Sequence, residues 1–179
     1  RSDICLLLLD FEDGVAKGDL NISQYILDAK KGLIVLVNKC DLMTDREEDE
    51  NAMIRELRYR MSYVPWAPVI FISAKNKKNI FRIFDLVREI QYERQKKIPE
   101  KEFSYFIQSL EHKHPPPSQG EWITKLFGGK QIGHEPPSFI ILTNNPDGLH
   151  FSYRRYIENE IRKKFGFTGT AMELRFARS

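Results

Sequence analysis

The residues best suited to chemistry in this sequence are Asn38, Lys39 and Asp41, which directly follow a short apolar run. Residues 33–37 are continuously apolar and mostly β-branched, which predicts a strand buried on both faces of a parallel sheet. Polar side chains at the carboxyl end of such a strand lie where open α/β sheets bind their ligands. Residues 38–41 are therefore predicted to form a binding site.

The residue types indicate a base as the ligand. A carboxylate at Asp41 only accepts hydrogen bonds, and guanine offers it two adjacent donors, whereas adenine presents an acceptor at N1 and has no 2-amino group. Discrimination should be strong, because the wrong base leaves the charge unpaired. Lys39 can lay its aliphatic stem on the face of a base, and Asn38 can both donate and accept. The alternative is an Asx turn that caps the next helix.

A second polar loop is predicted to meet the first. Residues 69–72 form another short apolar run, and Ser73, Ala74 and Lys75 follow it. One helix and one strand separate the two loops, and the right-handed crossover of a βαβ unit brings both strand ends to the same edge. We therefore expect both loops to line one pocket.

The two loops together, NKxD followed by SAK, resemble the base-recognition half of P-loop GTPases. The resemblance implies that the Ala74 N–H reaches the guanine O6 and that Ser73 braces the loop of Asp41. It also implies that Lys75 covers the ring face that Lys39 leaves open. Asn38, Lys39, Asp41, Ser73, Ala74 and Lys75 are thus the expected base-binding residues, with GTP or GDP as ligand.

Length and composition are those of an ordinary globular protein. The sequence has 179 residues, of which 41% are hydrophobic and 30% charged, enough for one large or two small domains. Its two cysteines, Cys5 in an apolar strand and Cys40 in the loop, favour a reducing compartment. The apolar run 4–9 is too short for a membrane span or a signal peptide. A soluble cytoplasmic protein without membrane association is predicted.

Charge is distributed unevenly between the two halves. Residues 1–96 contain 16 Lys and Arg against 16 Asp and Glu, while residues 97–179 contain 12 against 9 and all four histidines. The second half is therefore the better candidate for a polyanionic partner. An ordinary solvated surface would have a similar composition.

The first half alternates strands and helices. A strand ending at Asp10 is followed by a helix over residues 19–31, with Asp19 as its predicted N-cap. After residue 41, Thr44 can cap a second helix, with Glu47 completing a capping box. A third helix is predicted over residues 79–96. This order predicts an α/β fold with a partial, doubly wound GTPase-type sheet, which we place in a domain of residues 1–96.

The phosphate-binding motifs of a GTPase are not in this sequence. It contains no G-x-x-x-x-G-K-[ST] and no D-x-x-G after a strand. The sequence also opens inside a strand, so we expect it to be the C-terminal part of a longer polypeptide. Catalytic residues and Mg²⁺ ligands are expected outside this chain, and the 179 residues alone are predicted to be inactive.

The second half has a different pattern. Pro99 opens a helix that ends before Pro115, and strands are predicted over residues 122–127 and 138–143 with a connection over 128–137. A helix over 151–165 and a strand over 170–176 complete the order αββαβ. This order predicts an α+β domain of residues 97–179.

Three segments of this half resemble the C-terminal KH-like domain of the bacterial GTPase family Der, also called EngA: residues 112–117, 136–141 and 152–176. Residues 1–96 would correspond to the second GTPase domain of that family from just after switch II. The resemblance implies a GTP-hydrolysing assembly factor of the large ribosomal subunit. Its partners would be ribosomal RNA and the preceding GTPase domain. One departure is Cys40, where the family often has Trp.

The basic residues of the predicted helix 151–165 are the candidate contact surface for RNA or for the neighbouring GTPase domain: Arg154, Arg155, Arg162, Lys163 and Lys164. A solvated helix face is the simpler alternative. A different class of function also fits the sequence, namely a non-enzymatic RNA-binding module on a degenerate nucleotide-binding fold. A phosphate loop upstream would decide between this module and a GTPase.

Three other signals favour structural roles. The sequence Gly-Phe-Thr-Gly at 166–169 matches the GxxG of RNA-clamping KH domains, but it lies between a helix and a strand, which predicts a C-cap and turn. His112 and His114 lack Cys or carboxylate partners at metal-ligand spacing, so no metal site is predicted. The prolines at 115–117 are expected to terminate a helix rather than to bind an SH3 domain.

Overall fold

A computed structural model describes residues 2–116 and 123–179, and within them the chain divides into two compact units. The first contains the described residues up to Arg94 together with Thr168–Ala171. The second contains the described residues of Gln95–Phe167 together with Met172–Ser179. The sequence-based bounds of 1–96 and 97–179 differ from this division mainly in that four residues from near the end of the chain join the first unit.

The first unit is an α/β structure with a parallel sheet. Its elements are β1 (Ile4–Asp10), α1 (Lys17–Asp28), β2 (Gly32–Asn38), a 3-10 helix (Cys40–Leu42), α2 (Arg46–Arg60), β3 (Val69–Phe71) and α3 (Ile80–Gln95). The sheet order is β1-β2-β3, with both pairs parallel. The predicted alternation of strands and helices is therefore confirmed.

β2 is the centre of this unit, and its side chains are buried on both faces, as its unbroken apolar run predicts. Leu33, Val35 and Val37 pack on one face in a core that includes residues of α1 and α2. Ile34 and Leu36 pack on the other face, in a core that includes residues of α3. Helices on both faces make the sheet doubly wound.

α1 begins earlier than the sequence predicts. Asp19 is not its N-cap; the N-cap is Ala16, and Asp19 occupies the third helical position. From there the Asp19 carboxylate accepts a hydrogen bond from the Ala16 N–H at 2.8 Å. Asp19 thus satisfies a free N–H of the first turn from inside the helix, which is the role that the acidic member of a capping box plays.

α2 begins one residue later than predicted, with Asp45 and not Thr44 as its N-cap. The Asp45 carboxylate accepts from the Glu48 N–H at 3.2 Å. The N–H groups of Thr44 and Asp45 are bound in turn by the carboxylate of Asp49, at 3.0 and 3.3 Å. An acidic side chain in the first turn therefore binds the backbone at residue 44, and the next residue takes the cap.

The second unit has the predicted order αββαβ. Its elements are α4 (Glu100–Lys113), β4 (Leu126–Gly133), β5 (Ser138–Thr143), α5 (Phe151–Phe165) and β6 (Glu173–Arg178). The sheet order is β4-β5-β6, with β4 antiparallel and β6 parallel to β5. Its core includes Phe103 of α4 stacked on Phe139 of β5, with ring centroids 4.8 Å apart. Residue 117, the last of the prolines predicted to terminate a helix, and residue 122, the first of a predicted strand, lie outside the described ranges.

The prediction for β4 is wrong in position, because residues 128–133 belong to the strand and not to the connection. A β-carbon on Gly129 would lie 2.4 Å from the Ile140 carbonyl oxygen and 3.1 Å from the Phe103 ring. Gly128 has a φ of +129° at an irregularity of the strand. These glycines allow close packing of helix and strand, so their appearance as turn formers in the sequence is misleading.

The predicted closing strand also starts later, at Glu173, because Thr168–Ala171 pairs within the first unit instead. The Leu33 N–H donates to the Gly169 carbonyl, and the Gly169 N–H donates to the Trp66 carbonyl, both at 2.9 Å. Thr170 is fully buried and accepts a hydrogen bond from Arg94 at 2.9 Å. The segment therefore extends the first unit at the start of β2.

The Gly-Phe-Thr-Gly sequence forms the predicted C-cap and turn. Gly166 caps α5 with a φ of 91°, and its N–H donates to the Arg162 carbonyl at 2.8 Å. It leads from α5 toward β6 rather than between two helices. In the two described ranges of the chain, none of the helices combines the length and apolar character needed to cross a membrane.

Candidate base-recognition site

The two predicted loops meet at the carboxyl edge of the sheet. The Cys40 N–H in the loop after β2 donates to the Ile72 carbonyl at the end of β3, at 3.0 Å. The side-chain oxygen of Asn38 accepts from the Ala74 N–H, also at 3.0 Å. These hydrogen bonds join the loops, and the predicted site residues of both loops are brought together.

Asp41 accepts a hydrogen bond from the loop after β3. The Ser73 hydroxyl donates to it, and this hydrogen bond lowers the pKa of Asp41 below its ordinary value, with further contributions from the charges of Lys75 and Lys39. Ser73 is itself fully buried, and its oxygen accepts from the Asn76 N–H at 3.1 Å. A fixed hydroxyl from the second loop therefore positions the acid of the first loop and favours its charged form.

The loop after β3 is a closed turn that presents two of the predicted residues. Ser73 and Lys78 exchange backbone hydrogen bonds at 3.2 and 3.0 Å, and the Asn79 amide donates to the Phe71 carbonyl at 2.8 Å. Ala74 and Lys75 lie exposed inside this closed turn. The turn thus leaves Ala74 and Lys75 accessible to a ligand, while its first and last residues are hydrogen-bonded to each other and to β3.

The Ala74 N–H already has an acceptor in this structure, the Asn38 side chain. The family resemblance assigns the same N–H to the guanine O6. A guanine bound there would have to share this N–H with Asn38 or replace Asn38 as its acceptor.

Lys39 takes part in a charge network that the sequence did not reveal. Its backbone has a φ of 65°, in the left-handed region, and its ammonium lies 2.8 Å from carboxylate oxygens of both Asp10 and Glu12. These contacts raise the pKa of Lys39, and Lys39 lowers the pKa of Asp10. The sequence feature that could have indicated this network is the acid at the end of the first strand. Asp10 pairs with Asn38 in the parallel register, which brings it beside Lys39.

Each half of the chain matches a known protein family. Residues 1–93 match the family described as Elongation factor Tu GTP binding domain, and residues 97–177 match the family described as KH-domain-like of EngA bacterial GTPase enzymes, C-terminal. The chain belongs to the GTPase Der (EngA) family.

Its curated relatives in the Der (EngA) family include two bacterial proteins. GTPase Der of Geotalea uraniireducens (strain Rf4) is 38% identical over 177 residues, and GTPase Der of Thermomicrobium roseum is 37% identical over 179. Each alignment covers 98% of this chain but only 40% and 39% of the relative. The chain thus spans about two fifths of their length. A solved structure of Aquifex aeolicus Era matches 99% of this chain and 65% of its own, with 16% identity and a TM-score of 0.45.

Cys40, at a position where the family resemblance implies Trp, lies in the core and not at the surface of the candidate base site. Its side chain is buried and packs in the cluster that contains Met53 and Leu57 of α2. The residue therefore affects packing beneath the loop rather than the surface that a base would contact.

The histidines considered as metal ligands make other contacts. A ring nitrogen of His112 lies 2.9 Å from the Gln108 carbonyl oxygen, and the His114 ring stacks on Tyr153. Across residues 2–116 and 123–179, no three His, Cys, Asp or Glu side chains gather in a way that could hold a metal ion.

Two of the five basic residues predicted to form a contact surface on α5 are engaged inside the unit. Arg162 is 12% exposed, pairs with Glu158 at 2.9 Å and donates to the Phe167 carbonyl at 2.8 Å, and burial lowers its pKa. Arg154 donates to the carbonyls of Leu149 and Pro146 at 2.9 and 2.8 Å. Both guanidinium groups stabilise the ends of α5.

The other three basic residues of α5 are exposed. Arg155 and Lys163 lie within about 80° of each other around the helix axis. Lys164 lies on the other side, with its ammonium 4.9 Å from the centre of the Phe106 ring. Arg155 and Arg162 are seven positions apart and nearly in line, but the turn after Gly166 returns over the end of the helix and covers Arg162. The candidate surface is thus reduced to Arg155 and Lys163, and Lys164 lies outside it.

Proposed function

We propose that this chain is the base-recognising and C-terminal part of a GTPase that acts in assembly of the large ribosomal subunit. The observation that supports it most is the position of the Asp41 carboxyl group, which accepts a hydrogen bond from Ser73 of the other loop. An acceptor-only group held in place at the ligand-binding edge of a parallel sheet suits the two adjacent donors of guanine. Membership in the Der (EngA) family supports GTP over other guanine ligands.

In this proposal each loop contributes a defined contact. Asp41 accepts hydrogen bonds from N1–H and the exocyclic amino group of guanine, and Ala74 donates its N–H to O6. The stems of Lys39 and Lys75 cover the two ring faces. Adenine would leave the Asp41 charge without donors, and this loss supplies the selectivity.

The phosphates and Mg²⁺ would be bound by a part of the full polypeptide outside this chain, which spans only about two fifths of the length of its relatives. β1 is an outer strand of the described sheet, and its Leu6 and Leu8 side chains are 47% and 57% exposed. A strand beside β1 and a helix over these leucines would bury them, which is favourable for apolar side chains and is what the residues of β2 already show. Mg²⁺ would supply charge stabilisation at the phosphates.

The 179-residue chain alone is expected neither to hydrolyse GTP nor to bind it tightly, because phosphate and Mg²⁺ contacts supply much of the affinity and most of the transition-state stabilisation. The test compares phosphate release by this chain and by the full-length polypeptide, each with GTP and with ATP. The full-length polypeptide should hydrolyse GTP and leave ATP intact.

Two results would contradict this account. Hydrolysis of GTP by the isolated chain that survives Asp41→Asn would show that the phosphate site is not missing. A full-length polypeptide without GTP hydrolysis but with RNA binding would favour the non-enzymatic RNA-binding module.

We propose ribosomal RNA as the partner of the basic residues on α5. The alternative partner of the same residues is the preceding GTPase domain of the polypeptide. Arg155 and Lys163 are exposed on one side of α5, where both cations can contact phosphates of one RNA backbone. Such a protein would work in the cytoplasm, where ribosomal subunits are assembled.

Replacing Arg155 and Lys163 together with Gln should weaken binding of the 179-residue chain to ribosomal RNA. The slope of log K against log salt should also fall by about one for each phosphate that the variant no longer neutralises. Arg162 is left intact because its loss would remove the ion-pair partner of Glu158. The measurement is a titration at several salt concentrations.

The matched control for this titration is Lys125→Gln with Lys130→Gln, which removes the same charge from exposed positions in the same unit. It should change the slope less. Equal affinity and slope for wild type and the Arg155, Lys163 variant would exclude RNA as the partner of this surface and leave the preceding GTPase domain.

A further inference from the structure

We propose that Asp10 and Glu12 are positioning residues for guanine binding, which hold the Lys39 side chain as one wall of the base slot. The inference rests on the proposed function, because it assigns a role to residues beside the same site. Neither acid would touch the nucleotide. Each would act through the ammonium of Lys39.

The geometry of Lys39 carries the first step. Its ammonium lies 2.8 Å from Asp10 and 2.8 Å from Glu12, within the range of charge-assisted hydrogen bonds. Its backbone has a φ of 65°, which side chains other than Gly, Asn and Asp rarely adopt. A left-handed backbone at one end and two carboxylates at the other therefore fix where the aliphatic stem runs.

Asp10 is the better anchored of the two acids. One of its oxygens accepts from the Glu12 N–H at 3.0 Å, while the other accepts from Lys39. The Phe11 N–H donates to the Asn38 carbonyl at 3.1 Å, which joins the end of β1 to the residue before Lys39. The Glu12 side chain is 56% exposed and has more freedom. Asp10 should therefore contribute more than Glu12.

The consequence for binding follows from the flexibility of lysine. An unrestrained lysine stem loses much rotamer freedom when a base packs on it, and this cost lowers affinity. In this structure the two carboxylates restrain the stem before a base arrives. The stem contacts only the ring face, so the restraint should help all purines alike and leave edge recognition by Asp41 unchanged.

The test measures dissociation constants of GDP and IDP for the full-length polypeptide. IDP lacks the exocyclic amino group, so the ratio of the two constants reports the Asp41 contact. Asp10→Asn should raise both constants about two- to tenfold, which corresponds to ordering one long side chain, and leave their ratio unchanged. Glu12→Gln should have a smaller effect of the same kind. Asp13→Asn, an exposed acid of the same turn, is the matched control and should change neither constant.

A second variant tests whether Asp10 acts through Lys39. Lys39→Met keeps an aliphatic stem and removes the ammonium, so adding Asp10→Asn to it should have no further effect. The inference is overturned if Asp10→Asn leaves both constants unchanged, lowers them, alters the GDP to IDP ratio, or acts equally in the Lys39→Met background. Failure of the wild-type polypeptide to bind GDP would instead overturn the proposed function, and the inference with it.

Discussion

Asp41→Asn is expected to lower the affinity of the full-length polypeptide for GDP by on the order of 100-fold or more, because two hydrogen bonds to a charged group are removed or weakened. The same change should raise the affinity for XDP. An amide can donate to the extra carbonyl of xanthine, which a carboxylate would repel. The preference between guanine and xanthine should therefore reverse.

The measurement is a competition of GDP and XDP for the wild-type and variant polypeptides. Asp13→Asn serves as the control, because it removes the same charge from an exposed position in the turn after β1. The control should keep its preference for GDP. If Asp41→Asn also kept an undiminished preference for GDP, Asp41 would have no place in the base site.

Gly169→Ala is expected to destabilise the first unit by about 2–4 kcal/mol, the combined cost of a left-handed backbone and of overpacking. Gly169 has a φ of +71°, and an added β-carbon would lie 2.3 Å from two carbons of the Ile90 side chain. Ile90 is itself buried in the core under α3, which limits its movement. The site-specific measurement is hydrogen exchange of the Leu33 amide, which Gly169 protects.

Gly18→Ala is the matched control for that change. Gly18 lies in α1 with a normal helical backbone and open space around the position of a β-carbon. Alanine there should stabilise α1 by about 0.5–1 kcal/mol. In the Gly169→Ala background, Ile90→Val removes one of the two crowded carbons and should recover part of the loss. Unchanged exchange at Leu33 in Gly169→Ala would show that the core accommodates the methyl group.

The order of elements and the meeting of the two polar loops could be predicted because they depend on local pattern. The unbroken apolar run of β2 predicts burial on both faces, and the structure shows it. The polar residues after β2 and β3 were expected at one edge, and the bond from Ala74 to Asn38 joins them there. This placement follows from the crossover rule for parallel strands, which can be applied without knowing the side-chain contacts.

The features that could not be predicted depend on contacts between distant residues. The glycine pair at 128–129 has the composition of a turn, and only the approach of Phe103 shows that it belongs to β4. Arg162 shares a helix face with Arg155 in the sequence, yet the returning chain covers it. Lys39 could be named as a candidate base contact, but its two acidic partners emerge only from the parallel pairing of β1 with β2.

The pairing of Gly169 with β2 has a consequence for the order in which this protein can be completed during its synthesis. Chains are made from the N-terminus at about 5–20 residues per second, and domains generally fold as they emerge. Here Leu33 is made well before Gly169, and the carbonyl that accepts the Leu33 N–H arrives only when Gly169 has been added. The first unit therefore stays open at the start of its central strand until residue 169 has been translated.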